Sequence, residues 1–397
     1  MANSPQFVRL FINGNTREMI TISSFLQAFA EVIPLQTTGY AKDAVGLQVG
    51  YEPNAELLKI LLAYEITDEI IEEALEKKAN LIISYHPLIF PNISSITDSN
   101  RTGVLIRKLI KNDIALYVIH TAFDTHPEFG TSRLMADALG LQNTRPLIPL
   151  SDLLEKIVVF VPKDNIDQVQ EAMWNAGAGS IGNYDESSFA GVGVGTFRGN
   201  EWSKPEIGKP LVRESVSEVR LEMISERWKT PGVIRAMISA HPYEEVAYDR
   251  YPLINSHPKF GMGSIGEWIE GKTLDSVLAL NKKIFGTSVL RHNGVLKERY
   301  YQVAMVGGAG MEYYSSARSQ GADIFITGDI RYHEFYRALH DEVLLMDSGH
   351  AETERFVTEG MLKATMTACN VVNLQDEEAK KIVIRSAMSP NVVQYYH

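Results

Sequence analysis

Four short polar motifs each follow directly on an apolar run, and they contain the side chains that could do chemistry. They are Ser84-Tyr-His-Pro87, His120-Thr-Ala-Phe-Asp124, Thr327-Gly-Asp-Ile-Arg-Tyr-His333 and Asp347-Ser-Gly-His-Ala-Glu-Thr-Glu354. Such apolar runs predict buried strands, and the carboxyl ends of strands in an open parallel sheet are where sites assemble. We therefore expect the four motifs to lie close together in the fold.

The fourth motif places His350 and Glu354 four residues apart, on one face of a helix that begins after Gly349. With His86 and Asp124 they offer imidazole and carboxylate ligands, which suit zinc, ferrous iron or manganese. We expect one or two divalent ions per chain. Each residue also has a plainer interpretation, as a surface pair, a histidine bonded to a carbonyl, or a helix cap. The coincidence of several motifs at strand ends favours the metal site.

Other motifs are weaker candidates. Asp329 and His333 could orient the metal ligands or act as general acid and base, although a Gly-Asp turn after a strand is equally satisfied as a cap. Two glycine motifs, Gly191-Val-Gly-Val-Gly195 and Gly307-Gly-Ala-Gly310, match neither the full dinucleotide-binding pattern nor the Walker pattern. We expect tight turns at both.

The elements that must position these motifs alternate between strands and helices. The predicted strands lie at 57–64, 80–84, 114–119, 301–306, 323–327 and 343–346, and the predicted helices at 68–77, 104–111, 274–284 and 313–319. This alternation is typical of a parallel sheet covered by helices. Each of the four motifs follows one of the predicted strands, as the site requires.

The middle of the chain interrupts this alternation. From 153 to 255 the pattern predicts strand-helix-strand units with a glycine-rich stretch at 177–184. We therefore predict an inserted α+β domain at 153–255. The flanks, 19–152 and 256–397, are the two halves of one α/β metal-binding domain with a mostly parallel sheet. The apolar stretch within 1–18 is too short and too charged for a secretory signal, and we expect a disordered or non-native extension there.

Composition and charge argue against several classes of function. The 397 residues carry a formal net charge of -11 with a pI near 5.5, which gives no electrostatic basis for binding nucleic acid or an anionic membrane. The apolar stretches fall far below the roughly 20 residues that a membrane-spanning helix needs. Cys369 is the single cysteine, which excludes a thiolate metal cluster within one chain and predicts a reducing compartment, the cytoplasm.

Together with Asp43-Ala-Val-Gly-Leu-Gln-Val-Gly50, the four motifs resemble the dinuclear-metal, ring-forming family of GTP cyclohydrolase I type 2 homologues, the Nif-three-like proteins. The resemblance spans nearly the whole chain from Met19. It implies a homohexameric ring with the metal site facing an inner cavity. Residues 153–255 look like the PII-like insertion, of ferredoxin-like fold, found in the longer members. Its motifs here are Gly177-Ala-Gly-Ser-Ile-Gly-Asn-Tyr-Asp185, Gly195-Thr-Phe-Arg198 and His241-Pro-Tyr-Glu-Glu245.

The resemblance assigns the metal ligands to Tyr85, His86, Asp124, His350 and Glu354. The sequence departs from the family at Tyr85, where the family has the first histidine of a His-His-Pro strand end, and at Glu65, where it usually has Asp. A phenol hydroxyl titrates near pH 10, so Tyr85 would bind a metal only as a neutral oxygen or with a lowered pKa. This departure bears on whether one ion or two can bind.

Two functions remain open at the level of sequence. A metal site of this kind activates water, so hydrolysis is the natural reaction class. The resemblance implies GTP as substrate, with the guanine ring opened at C8 and formate lost. The sequence itself has no guanine-binding or triphosphate-binding motif, and a phosphate ester or small amide would serve equally. The alternative is a non-enzymatic metal-binding regulator or scaffold, in which the PII-like insertion senses a small molecule.

Overall fold

The computed structural model describes residues 19–52 and 54–387. The extension expected at 1–18 lies outside the described residues. The chain divides into two compact units, a larger one made of Met1–Pro149 with Lys259–His397 and a smaller one made of Leu150–Pro258. Within the described residues, no helix combines the length and the apolar character needed to cross a membrane.

Strands and helices alternate through much of the described chain. The strands are β1 (Gly46–Val49), β2 (Ile60–Ala63), β3 (Leu81–Ser84), β4 (Ala115–Val118), β5 (Gln142–Pro149), β6 (Leu154–Pro162), β7 (Phe189–Arg198), β8 (Arg213–Glu226), β9 (Tyr248–Leu253), β10 (Gly261–Lys272), β11 (Arg291–His292), β12 (Tyr300–Ala309), β13 (Ile324–Gly328), β14 (Leu344–Asp347) and β15 (Val383–Arg385). The α-helices are α1 (Ile22–Val32), α2 (Asp68–Lys77), α3 (Arg101–Lys111), α4 (His120–Asp124), α5 (Thr131–Ala138), α6 (Ile166–Asn175), α7 (Thr230–Ala240), α8 (Leu274–Phe285), α9 (Tyr314–Ser319), α10 (Tyr332–His340), α11 (His350–Thr353), α12 (Val357–Val371) and α13 (Asp376–Ile382).

The first sheet of the larger unit has the order β1-β4-β3-β2-β15. β4, β3, β2 and β15 are parallel neighbours, and β1 pairs antiparallel with β4. Ile60 and Leu62 of β2 belong to a core shared with α1 and α12, whereas Leu61 and Ala63 belong to a core shared with α2 and α3. Helices therefore cover both faces, which is why β2 consists wholly of buried apolar residues.

The second sheet of the larger unit has the order β11-β14-β13-β12-β10-β5. Only β14, β13 and β12 are parallel neighbours in it. The predicted mostly parallel sheet is thus present only in part, and the observed fold is a mixed α/β fold with several sheets. Pro149 at the end of β5 pairs with Gly261 at the start of β10. The chain therefore leaves this sheet at the end of β5 and, after the smaller unit, re-enters it in the antiparallel neighbour β10.

The smaller unit has the element order β6-α6-β7-β8-α7-β9 and one antiparallel sheet with the order β7-β8-β6-β9. Its core contains Val169 and Met173 of α6 and Val233 and Met237 of α7. These side chains pack with apolar residues of β6 and β8, among them Ile157. One face of this sheet is therefore covered by both helices.

The two glycine motifs lie largely in strands, so the prediction of tight turns was wrong. Gly191 to Gly195 belong to β7, and Gly307 and Gly308 belong to β12. These glycines leave room for side chains from neighbouring elements. A Cβ added at Gly195 would overlap the carboxylate of Glu218, and one added at Gly308 would overlap the carboxylate of Glu354.

Candidate metal centre

Strand ends from both sheets of the larger unit supply the site. Tyr64 follows β2, Tyr85 and His86 follow β3, and His120 lies two residues beyond β4. In the second sheet Asp329 follows β13, and His350 lies three residues beyond β14. Parallel strands place their carboxyl ends at the same edge of a sheet, so each sheet presents its polar residues together.

His86, His350 and Glu354 form the centre of the site. Each offers one ligand atom, and these atoms all lie within 4.8 Å of one another. Oε2 of Glu354 is 3.3 Å from Nε2 of His350 and 3.9 Å from Nε2 of His86. Two imidazoles and a carboxylate are a donor set of zinc and non-haem iron sites, which leave further positions for water or substrate.

The second nitrogen of each imidazole supports this interpretation. Nδ1 of His350 lies 2.6 Å from Oδ2 of Asp329. Nδ1 of His86 is buried without a partner in hydrogen-bonding geometry, and Oε2 of Glu65 lies 3.4 Å from it. A carboxylate beside the far nitrogen is the usual support of a metal-binding histidine, because it fixes the ring and its tautomer. The residues present therefore fit a divalent ion.

Charge is concentrated at Glu354, whose side chain is 5% exposed. Burial alone would raise the pKa of this carboxyl, but the hydrogen bond and charge of His350, together with the nearby His86 and the hydroxyl of Tyr64, hold it below its usual value. The hydrogen bond to Glu354 in turn raises the pKa of His350 to about 9. The buried carboxylate therefore stays ionised, as a metal ligand must.

Glu354 fits this position because a glycine lies beside it. Gly308 has a φ of 65°, and a Cβ there would overlap Oε1 of Glu354 and lie 3.2 Å from Nε2 of His350. Gly349, with a φ of 88°, precedes α11, the short helix that begins with His350. Glycine is the residue that combines positive φ with such close approach of its neighbours.

Asp124 lies outside the three-ligand group of the described residues, but Tyr85 links it to that group. The hydroxyl of Tyr85 is 3.0 Å from each oxygen of Asp124 and 3.3 Å from Oε1 of Glu354. Burial raises the pKa of Asp124 to about 6, against a 2.6 Å hydrogen bond from Thr131. Burial and the charge of Asp124 raise the pKa of Tyr85 well above its usual value. Tyr85 is therefore a neutral donor between two carboxyl groups.

Sequence reasoning gave no role to two residues of this site. The hydroxyl of Tyr64 donates a hydrogen bond to Oε2 of Glu354, and its ring stacks on that of Tyr85 with centroids 5.7 Å apart. Asp43 lies 2.8 Å from Nδ1 of His120. Signals for both were present, because Tyr64 directly follows β2 as Tyr85 directly follows β3, and Asp43 opens a motif that carried the family resemblance.

The two residues predicted to support catalysis have different positions. Asp329 contacts His350 directly and has a φ of 54°, in the left-handed region that Asp tolerates better than most residues. His333 lies on the exposed surface of α10, with its ring centroid 5.6 Å from that of Tyr332. Within the described residues, no recorded contact joins His333 to the three ligands.

Comparison with known proteins gives the same family as the motifs. The GTP cyclohydrolase 1 type 2 homolog of Halalkalibacterium halodurans is 41% identical over 309 residues, 78% of this chain and 82% of that protein. The homolog of the same name from Bacillus subtilis is 36% identical over 329 residues, 83% of this chain and 87% of that protein.

Solved structures agree with this assignment. The crystal structure of a Bacillus cereus protein related to NIF3 covers 96% of this chain and 100% of its own, with 34% identity and a TM-score of 0.82. Staphylococcus aureus protein SA1388 covers 95% of this chain and 99% of its own, with 28% identity and a TM-score of 0.71. The family predicted from the motifs is therefore confirmed. The family model described as Duf34/NIF3 (NGG1p interacting factor 3) matches residues 20–385, and this chain belongs to that family.

Proposed function

We propose that the chain is a metal-dependent hydrolase that acts on a nucleotide or a related small molecule. The observation that carries the proposal is the group of His86, His350 and Glu354, whose ligand atoms lie within 4.8 Å of one another. Several relatives share a name, GTP cyclohydrolase 1 type 2 homolog, that points to a nucleotide. The metal is zinc, iron or manganese, since these ions suit imidazole and carboxylate ligands.

The stoichiometry that we propose is one ion per chain. The hydroxyl of Tyr85 donates to Asp124 at 3.0 Å and to Glu354 at 3.3 Å. A second ion that used these two carboxylates would have to displace this hydroxyl or remove its proton. The raised pKa of Tyr85 opposes loss of the proton. Tyr85 is thus a ligand only if the ion takes the phenol oxygen in its neutral form.

The chemistry that a bound ion supplies is Lewis acidity and activation of water. The chain's own residues do the positioning. Asp329 holds His350 through Nδ1, while Tyr64 donates to Glu354. Asp124, with a pKa of about 6, is a carboxyl able to exchange a proton near neutral pH.

Asp329 and His333 remain proposed as groups that move protons. Support is stronger for Asp329, because its Oδ2 lies 2.6 Å from Nδ1 of a metal ligand, His350. His333 would act from the exposed surface of α10. Replacement of each by asparagine distinguishes a proton-transfer role from a role in orienting the ligands. Only replacement of a residue that moves protons to or from the substrate should change the pH profile of turnover.

We also propose the assembly and the domain that the family resemblance implied, a homohexamer with a PII-like insertion at 153–255, and a location in the cytoplasm. The β-α-β-β-α-β order of the smaller unit and its antiparallel sheet support a ferredoxin-like domain. Light scattering tests the assembly. A mass of six chains agrees with the proposal, and a stable monomer contradicts it.

A non-enzymatic metal-binding regulator or scaffold, with the smaller unit sensing a small molecule, is the second candidate. The observation that favours it is the position of Tyr85, whose hydroxyl lies between the carboxylates of Asp124 and Glu354. A centre built in this way would bind metal without the second ion that a dinuclear hydrolase uses.

One experiment separates the two candidates. Zinc-loaded protein is assayed with a panel of GTP, other nucleotides, phosphate esters and small amides, beside Glu354→Ala and a control, Glu359→Ala, whose side chain is 56% exposed and paired with Lys363. A hydrolase loses turnover and zinc in Glu354→Ala alone. Zinc binding without turnover on any substrate supports the regulator. Equal zinc binding by wild type and Glu354→Ala contradicts the metal centre itself.

A further inference from the structure

A second pair of titratable side chains lies beside the metal centre and has no part in the function proposed above. Nδ1 of His120 lies 2.8 Å and 3.0 Å from the two oxygens of Asp43. The side chain of Asp43 is 1% exposed. Its Oδ2 also accepts hydrogen bonds from the backbone N–H and the hydroxyl of Thr121. The carboxylate is thus anchored to the turn that carries the imidazole.

These contacts fix the tautomer of His120. Although burial opposes it, hydrogen bonds from His120 and Thr121 keep the pKa of Asp43 below its usual value, so the carboxylate is an ionised acceptor. Nδ1 of His120 therefore carries a hydrogen in either protonation state of the ring. The remaining nitrogen is Nε2, and within the described residues no hydrogen bond engages it.

The ring of His120 lies against the metal centre. Its centroid is 5.8 Å from that of Tyr85 and 5.8 Å from that of the metal ligand His86. On another side it lies 6.2 Å from the ring of Tyr40, a residue that is 42% exposed. The side chain of His120 is itself 20% exposed. The imidazole is therefore adjacent to a ligand of the ion and partly open to solvent.

The backbone at His120 is an independent observation. Its φ is 29°, a positive value that side-chain-bearing residues seldom adopt. The N–H of His120 donates to the carbonyl of Tyr85 at 3.0 Å, which ties the strained residue to the neighbouring strand end. Strain of this kind clusters at functional sites. Here its result is the placement of an imidazole beside the metal ligands.

We propose that His120 is a substrate-contacting residue of the metal centre and that Asp43 is its positioning residue. Nε2 of His120 hydrogen-bonds to an oxygen of an oxyanion that binds next to the ion. The oxyanion class fits because hydrogen phosphate can donate to a neutral Nε2 or accept from a protonated one. The inference rests on the proposed function, since the substrate concerned is the one bound at the ion.

The test uses inorganic phosphate and zinc-loaded full-length protein in calorimetric titrations. The variant His120→Gln removes the imidazole, and His340→Gln, whose side chain is 92% exposed, is the matched control. We expect wild type and control to bind phosphate equally and His120→Gln to bind about tenfold more weakly, the loss of one hydrogen bond. Zinc affinity should be the same in all three.

The variant Asp43→Asn tests whether Asp43 positions His120. Its readout is the chemical shift of the His120 ring proton, which would not change if Asp43 were needed only for folding. In spectra of protein labelled with ¹⁵N in histidine, the Nδ1–H proton of His120 should show the downfield shift of a hydrogen bond to a carboxylate. Asp43→Asn should lose that shift and bind phosphate with an affinity between those of wild type and His120→Gln. An unchanged spectrum in Asp43→Asn overturns the positioning role.

The outcomes for His120 and for the metal centre are distinguishable. Phosphate binding that is absent in wild type, or equal in wild type and His120→Gln, overturns the substrate contact. Loss of zinc in His120→Gln also overturns it, because His120 would then be a metal ligand. Failure of the proposed function itself appears in another variant, His350→Ala, as zinc affinity equal to that of wild type.

Discussion

Gly308→Ala tests the packing of the metal centre without replacing any of the proposed ligands. The φ of Gly308 is 65°, so an alanine there costs about 1–2 kcal/mol in backbone strain. Its Cβ would also overlap Oε1 of Glu354. The carboxylate is the end of a flexible side chain and can rotate away, so the overlap costs little stability. The rotation does change the geometry of the site, because Oε2 of Glu354 leaves its position 3.3 Å from Nε2 of His350.

The matched control for this change is Gly140→Ala. Gly140 has a φ of 68° and nothing within 4 Å of an added Cβ, so it carries the backbone cost alone. We expect both variants to lose about 1–2 kcal/mol of unfolding free energy in urea. Only Gly308→Ala should also lose zinc affinity, by about 10–100-fold, as is usual when the support of a metal ligand is disturbed. Equal zinc affinities of the two variants in calorimetry would refute the placement of Glu354.

Three further predictions concern Asp329, Tyr85 and His126, a buried histidine of the larger unit. Asp329→Asn keeps a residue that tolerates positive φ but removes the charge beside Nδ1 of His350, so zinc affinity should fall about 10–100-fold in calorimetry while the melting temperature changes little. Tyr85→Phe removes the Tyr85 hydroxyl as a donor to Asp124 and leaves only that of Thr131, so the unfolding free energy of the metal-free protein should fall by about 1–2 kcal/mol in urea; no change would mean that the Tyr85 hydroxyl does not bind there. Burial lowers the pKa of His126 to about 4, and its Nδ1 accepts two backbone N–H bonds, so the unfolded chain takes up the proton first. The contribution of neutral His126 to the unfolding free energy is complete above about pH 6.5 and is lost as the pH falls to about 4, by up to roughly 3 kcal/mol. In urea titrations at a series of pH values, the unfolding free energy of His126→Gln should therefore change less with pH over that window than that of wild type.

The ligand positions could be predicted because strand ends are visible in the sequence. His86 lies two residues beyond β3, a strand of wholly buried residues, and its apolar run from Leu81 to Ile83 is visible in the sequence. The predicted helix at 68–77 has the observed bounds, since Thr67 caps its start and Lys78 ends it with a positive φ. The four-residue spacing of His350 and Glu354 follows from helix geometry alone.

The features of the site and the fold that could not be predicted depend on contacts between distant parts of the chain. Tyr64 and Glu354 are 290 residues apart, and Tyr85 and Asp124 are 39 apart, so no local pattern indicates that these side chains meet. Strand direction in the second sheet is also set by tertiary pairing and not by the alternation of elements. The glycines of β7 look like a turn because composition does not record the carboxylate that lies against Gly195.

The central claim is a metal centre of one ion, held by His86, His350 and Glu354. Elemental analysis of wild type and Tyr85→His, both loaded with zinc under identical conditions, tests it most directly. The account predicts one zinc ion per chain in wild type and two in Tyr85→His, because an imidazole at position 85 would supply a ligand where a neutral hydroxyl now donates to Asp124. Two ions in wild type, or none, would contradict it.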